Sequence, residues 1–139
     1  MGKAFIFNEH LDRTDRDAIE AAVRAAGYEP IYGVPADIST VDAITDIGVV
    51  GLPVAPEDEA VVNSGTRLFG GAGIRVVGIW LHEDGVDGVG LPEELEKYGS
   101  TAVRIGSPDL PEALAGERDV WEEPSGATRA APTTKRNKC

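Results

Sequence analysis

Apolar residues along this chain gather into five short runs, and the stretches between them carry helical spacing or turn residues. The runs are Lys3 to Asn8 (KAFIFN), Pro30 to Gly33, Ile47 to Leu52, Ile74 to Leu81 and Thr101 to Ile105. Their β-branched and aromatic content reads as strand. After the first run, Thr14 reads as an N-cap with Asp17 in the reciprocal position. Ile19, Ala22, Val23 and Ala26 then share one helical face, and Gly27 suits the C-terminal cap. Thr40 to Ile44 has room only for a short helix. Between the third and fourth runs lie an acidic, helix-starting segment, Pro56-Glu57-Asp58-Glu59, and a small-residue turn, Asn63-Ser64-Gly65-Thr66. Leu91 to Tyr98 predicts a helix closed by Gly99, and Ser107 to Leu114 a last one. Five strand–helix units in series predict a flavodoxin-like α/β domain. It would be a three-layer sandwich on a parallel five-stranded sheet of order 2-1-3-4-5, its site at the carboxyl ends of strands 1 and 3.

Composition narrows the class. With 139 residues, 42% of them hydrophobic, the chain has the makings of one soluble domain with a real core. Residues 1–123 form that domain, and from Glu117 on only Val120 and Trp121 look buried, as an anchor. No apolar run is long enough to cross a bilayer, and the start is already strand-like, so neither a signal peptide nor a span is expected. The single cysteine, Cys139, is the last residue and permits no internal disulfide; a reducing cytoplasm fits best.

Charge is unevenly placed. The net value is −11, yet residues 1–123 hold 9 basic and 24 acidic groups, while residues 124–139 hold four basic groups and no acid. An acidic body repels nucleic-acid phosphates. Only the basic tail, 124–139, offers contact with nucleic acid or an acidic partner, and its simpler reading is a solvated loop.

Known five-stranded sites can be tested against the residues. A phospho-acceptor domain needs an aspartate ending strand 3 and a lysine ending strand 5, where this chain has Leu52-Pro53-Val54 and Gly106-Ser107. A flavin-phosphate loop wants Thr, Ser and Gly after strand 1, where Asn8-Glu9-His10-Leu11-Asp12 stands. There is no dinucleotide fingerprint, no P-loop and no metal-spaced Cys/His cluster, so no cofactor and no metal is expected. What remains is polar chemistry at the ends of strands 1, 3 and 4. Asn8, Glu9 and His10 leave strand 1, and a carboxylate or imidazole there can serve as general acid or base. Glu57 offers a second carboxylate, although acids in a first helical turn need no function. Asp46 opens strand 3. Asn63, Ser64 and Thr66 suit a ribose or phosphate, whereas Gly65 suits either a tight turn or close helix–strand packing. His82, with Glu83 and Asp84, ends strand 4.

Asp46, the strand Ile47–Leu52, Asn63-Ser64-Gly65-Thr66-Arg67-Leu68-Phe69-Gly70-Gly71 and the strand Arg75–Ile79 together resemble the nucleoside 2-deoxyribosyltransferase-like group. There an aspartate opens the third strand, and a D-S-G-T-x-x-E-x-G helix motif carries an acid and the nucleophilic glutamate. Asn63 stands at the acid's position and Phe69 at the nucleophile's, so the covalent route through that glutamate is closed. The resemblance therefore implies a nucleoside- or nucleotide-like ligand, with Glu9 or Glu57 as the acids left for any N-glycosidic chemistry. The start Lys3-Ala4-Phe5-Ile6-Phe7 and Leu91-Pro92-Glu93-Glu94-Leu95 also resemble Toll/interleukin-receptor domains, some of which only assemble with partners. That likeness implies the alternative, a non-catalytic module that binds itself or another protein through a helix face or its tail.

Overall fold

A computed structural model describes residues 2–34, 40–81, 91–117 and 120–129. The elements run β1 (Lys3–Phe7), α1 (Arg13–Ala25), β2 (Glu29–Tyr32), β3 (Ile47–Leu52), a 3-10 turn at Pro56–Asp58, α2 (Glu59–Gly71), β4 (Arg75–Trp80), α3 (Glu93–Tyr98), β5 (Gly99–Arg104) and α4 (Leu110–Ala115). All strand pairs are parallel and the order is β2-β1-β3-β4-β5, the expected topology.

Strand alternation divides the apolar side chains between two cores. Ala4 and Ile6 of β1, Ile47 and Val49 of β3, and Val77 and Ile79 of β4 point to one face, under Ile19 and Val23 of α1 and Leu110, Ala113 and Leu114 of α4. Phe5 and Phe7, Val50 and Leu52, and Val76 and Trp80 point to the other, under Val62 and Phe69 of α2 and Leu95 of α3. Burial on both faces explains why the central strands read as unbroken apolar runs. Each buried Val, Leu, Ile or Phe among them contributes about 1.5–3 kcal/mol. Helix α2 sits very low on the sheet because glycines admit it. A methyl group on Gly48 would lie 2.5 Å from the Phe69 ring, and one on Gly65 would lie 2.2 Å from the Phe7 ring.

Three local expectations change. Asp12, not Thr14, caps α1: its side chain accepts from the Asp15 backbone N–H at 2.8 Å, starting the helix earlier. Beyond Thr40, which has 3-10 geometry, Val41 to Ile44 form no helix and instead lead into a turn in which the Asp42 Oδ1 accepts from the Ile44 N–H at 2.9 Å. Asn63-Ser64-Gly65-Thr66 is no turn; it lies inside α2, which begins four residues earlier. Val62, Gly65, Thr66 and Phe69 are its buried stripe, so sheet packing overrides their weak helix propensity.

The chain end stays with the domain through Arg129. Val120 to Glu122 run along the outer side of β5: the Ala102 N–H donates to the Val120 carbonyl at 2.9 Å, and the Glu122 N–H to the Ala102 carbonyl at 2.8 Å. The buried Glu122 carboxylate accepts from the Arg104 N–H at 2.9 Å and from the Ser107 hydroxyl at 3.0 Å. Trp80 Nε1 donates to the Glu122 carbonyl at 2.8 Å. Pro124 to Gly126 then turn back, and the Arg129 guanidinium lies 5.9 Å from the Trp80 ring centre. The remainder of the basic tail, with Lys135, Arg136, Lys138 and Cys139, lies outside the described residues. Among those described, no helix is long and apolar enough to cross a membrane.

Candidate functional site

Every strand is parallel, so the loops that leave β1, β2 and β3 share one edge of the sheet. At that edge β1 ends on Phe7, whose ring is held beneath Gly65 of α2. Beyond it the chain turns, with the Leu11 N–H donating to the Asn8 carbonyl at 3.1 Å, which leaves Glu9 exposed at the tip. Between this loop, the exit of β2 and the outer flank of α2 lies a hollow of about 360 Å³. Phe7, Glu9, Val34, Ala60, Val61, Ser64, Gly65 and Leu68 line it. Among the described residues, Glu9 supplies its only ionised side chain and Ser64 its only hydroxyl.

Of the residues singled out from the sequence, Glu9 and Ser64 are brought together here. Asn8 and His10 sit beside the hollow but do not line it. The His10 ring turns inward, 5.9 Å from the Phe7 ring, with Nε2 bonded to the Gly51 carbonyl at 2.9 Å. A carbonyl only accepts, so Nε2 carries the proton. Glu57 is exposed in the 3-10 turn before α2, at the same edge but outside the lining.

The others lie elsewhere, each for a structural reason. Asn63 points toward α3, where its Oδ1 accepts from the Glu94 N–H at 3.0 Å and satisfies an N-terminal donor of that short helix. Arg67, one turn on, pairs with Glu94 at 2.8 Å, so this side of α2 is a helix–helix seam. Thr66 is fully buried against the sheet. Asp46 is at the opposite edge, because a residue that opens a parallel strand cannot reach the carboxyl ends. There its carboxylate accepts from the N–H groups of Lys3 and Asp42, both at 2.8 Å, with the Lys3 ammonium at 3.5 Å. Burial pushes the Asp46 carboxyl up, but those N–H groups and the lysine charge outweigh it and hold it below the ordinary carboxylate value. His82, with Glu83 and Asp84, lies outside the described residues. Phe69, which the resemblance would put at the nucleophile's place, is core, packed on Gly48.

Searches against protein-family models, curated proteins and solved structures return no match for this chain. The site therefore rests on its own geometry. Its apolar half (Phe7, Val34, Ala60, Val61 and Leu68) was missed in the sequence. The available signal was the spacing Val61, Ser64, Leu68, an i, i+3, i+7 stripe beside the buried one. Reading residues 63–66 as a turn broke that stripe in two. Among the described residues, no cluster of three or more His, Cys, Asp or Glu side chains could hold a metal ion.

Proposed function

We propose that the chain binds a small molecule of nucleoside-like build in the hollow between β1 and α2. The observation that carries this reading is that Glu9 and Ser64, from different elements, face one largely apolar cavity at the carboxyl edge of a parallel sheet. A volume of about 360 Å³ is at the lower end of small-molecule sites, and an apolar wall with few polar groups is their usual chemistry. A base would lie against Val34, Val61 and Leu68, with sugar hydroxyls donating to the Glu9 carboxylate and exchanging hydrogen bonds with Ser64. If the bound molecule is turned over, N-glycosidic cleavage is the chemistry to assay. Among the described residues Glu9 is the only carboxylate in the lining, which favours it over Glu57 as acid or base. The test is a thermal-shift and calorimetric screen with nucleosides, nucleotides and NAD. Glu9→Gln and Ser64→Ala should each weaken binding about tenfold, as expected for loss of one hydrogen bond to a charged or neutral partner. Equal binding by both variants refutes the proposal.

One observation favours the second reading, a non-catalytic association module. Val61 is 43% and Leu68 52% exposed on the same flank of α2. A concentration-dependent dimer in sedimentation that Leu68→Glu abolishes, with no small molecule bound, would support it.

A further inference from the structure

We infer that the hollow selects uncharged or amine-bearing ligands and rejects phosphorylated ones; this rests on the reading of the hollow as a small-molecule site. An anion site in a parallel α/β sheet is normally built from a helix N-terminus and a nearby cation. Both long helices that start at this edge, α1 on one face of the sheet and α2 on the other, carry their own acids. Asp12 caps α1 with its carboxylate on the Asp15 N–H, and Glu57, Asp58 and Glu59 crowd the start of α2. These carboxylates already neutralise the dipoles that would attract phosphate.

The described cations nearby do not line the hollow. Arg67 of α2 is paired with Glu94 of α3 on the helix's other side. Arg16 of α1 lies 5.8 Å from the Tyr32 ring centre, and the Tyr32 hydroxyl donates to Glu20. Arg13 is exposed in the first turn of α1, between the acids Asp12 and Asp15 in the chain, and is not among the residues that line the hollow. His10 spends its protonated nitrogen on the Gly51 carbonyl. Among the described residues, no lysine or arginine lines the hollow, and the charge they bring to it is the Glu9 carboxylate. A phosphate on the ligand would meet repulsion from Glu9 and from the acidic body, whose whole-chain charge is −11. A protonated amine would instead make a charge-assisted hydrogen bond to Glu9.

The experiment titrates the full chain by calorimetry with adenosine, adenosine 5′-monophosphate and 5′-amino-5′-deoxyadenosine, then with the guanosine, cytidine and uridine counterparts. For a dianion about 7 Å from Glu9 in water, Coulomb's law gives a penalty of roughly tenfold in affinity. The monophosphate should therefore bind about tenfold more weakly than the nucleoside at low salt, and the amine at least as tightly. The gap should shrink as salt rises and narrow in Glu9→Gln. A monophosphate that binds as tightly as its nucleoside, or more so, overturns the charge inference and leaves the pocket standing. No binding by any member of any series overturns both.

Discussion

Glu122→Ala should destabilise the protein far more than its place near the chain end suggests. The carboxylate is buried and takes two hydrogen bonds, from the Arg104 backbone N–H at 2.9 Å and the Ser107 hydroxyl at 3.0 Å. Alanine removes the acceptor and leaves both donors behind. An unsatisfied buried donor costs about 1–3 kcal/mol, and the hydroxyl can rotate to relieve part of its share. The expected loss is thus about 2–4 kcal/mol, or roughly 6–12 °C in Tm for a domain of this size. Glu122→Gln keeps an acceptor for the Arg104 N–H and should lose only about 1 kcal/mol. Urea unfolding followed by tryptophan fluorescence suits the question, since Trp80 donates to the Glu122 carbonyl and Trp121 precedes it. A loss below about 0.5 kcal/mol in Glu122→Ala, with unchanged fluorescence and an unchanged denaturant slope, would refute the idea that residues 120–122 are fixed along β5.

Three further outcomes are expected. Gly65→Ala puts a methyl 2.2 Å from the Phe7 ring and should cost about 1–3 kcal/mol in urea unfolding; Gly71→Ala, with nothing within 4 Å, should be neutral or stabilising by up to about 1 kcal/mol. Asp46→Asn should cost about 1–3 kcal/mol at neutral pH, because two N–H groups lose a charged acceptor. The folded Asp46 carboxyl titrates below its unfolded value, so its contribution is present above that unfolded value and is lost as pH falls through the folded one. Wild-type stability should accordingly drop through the acid range and the Asp46→Asn curve should be flatter there, as read from denaturation midpoints against pH. Asn63→Ala should cost about 1 kcal/mol through the freed Glu94 N–H while leaving ligand affinity unchanged.

The sheet was legible because its strands are buried on both faces: runs such as Ile47 to Leu52 and Arg75 to Trp80 leave little alternative to central parallel strands. Within the site, legibility depended on which contacts are local. Glu9 could be placed because a loop that follows a strand must emerge at the carboxyl edge. The same rule, applied to Asp46, would have put it at the amino edge, since it opens a strand; the transferase-like motif spacing obscured this. Asn63 and Thr66 were misjudged because small polar residues signal turns only when nothing overrides them, and here the sheet-facing stripe of α2 does. Glu122 gave no signal, because its partners lie 18 and 15 residues away in the chain.

The covering of β5 has a consequence for how copies of this molecule can meet. The Glu29 and Gly33 N–H groups bond back to Gly2 and Ile6, so the intervening Pro30 turns its ring nitrogen, which has no hydrogen to give, toward the far margin of β2. One border of the sheet is therefore occupied by the molecule's own chain and the other is blunted by an imino acid. Neither offers a full ladder on which a neighbour's strand could template, which guards a five-stranded sheet against growing into fibres.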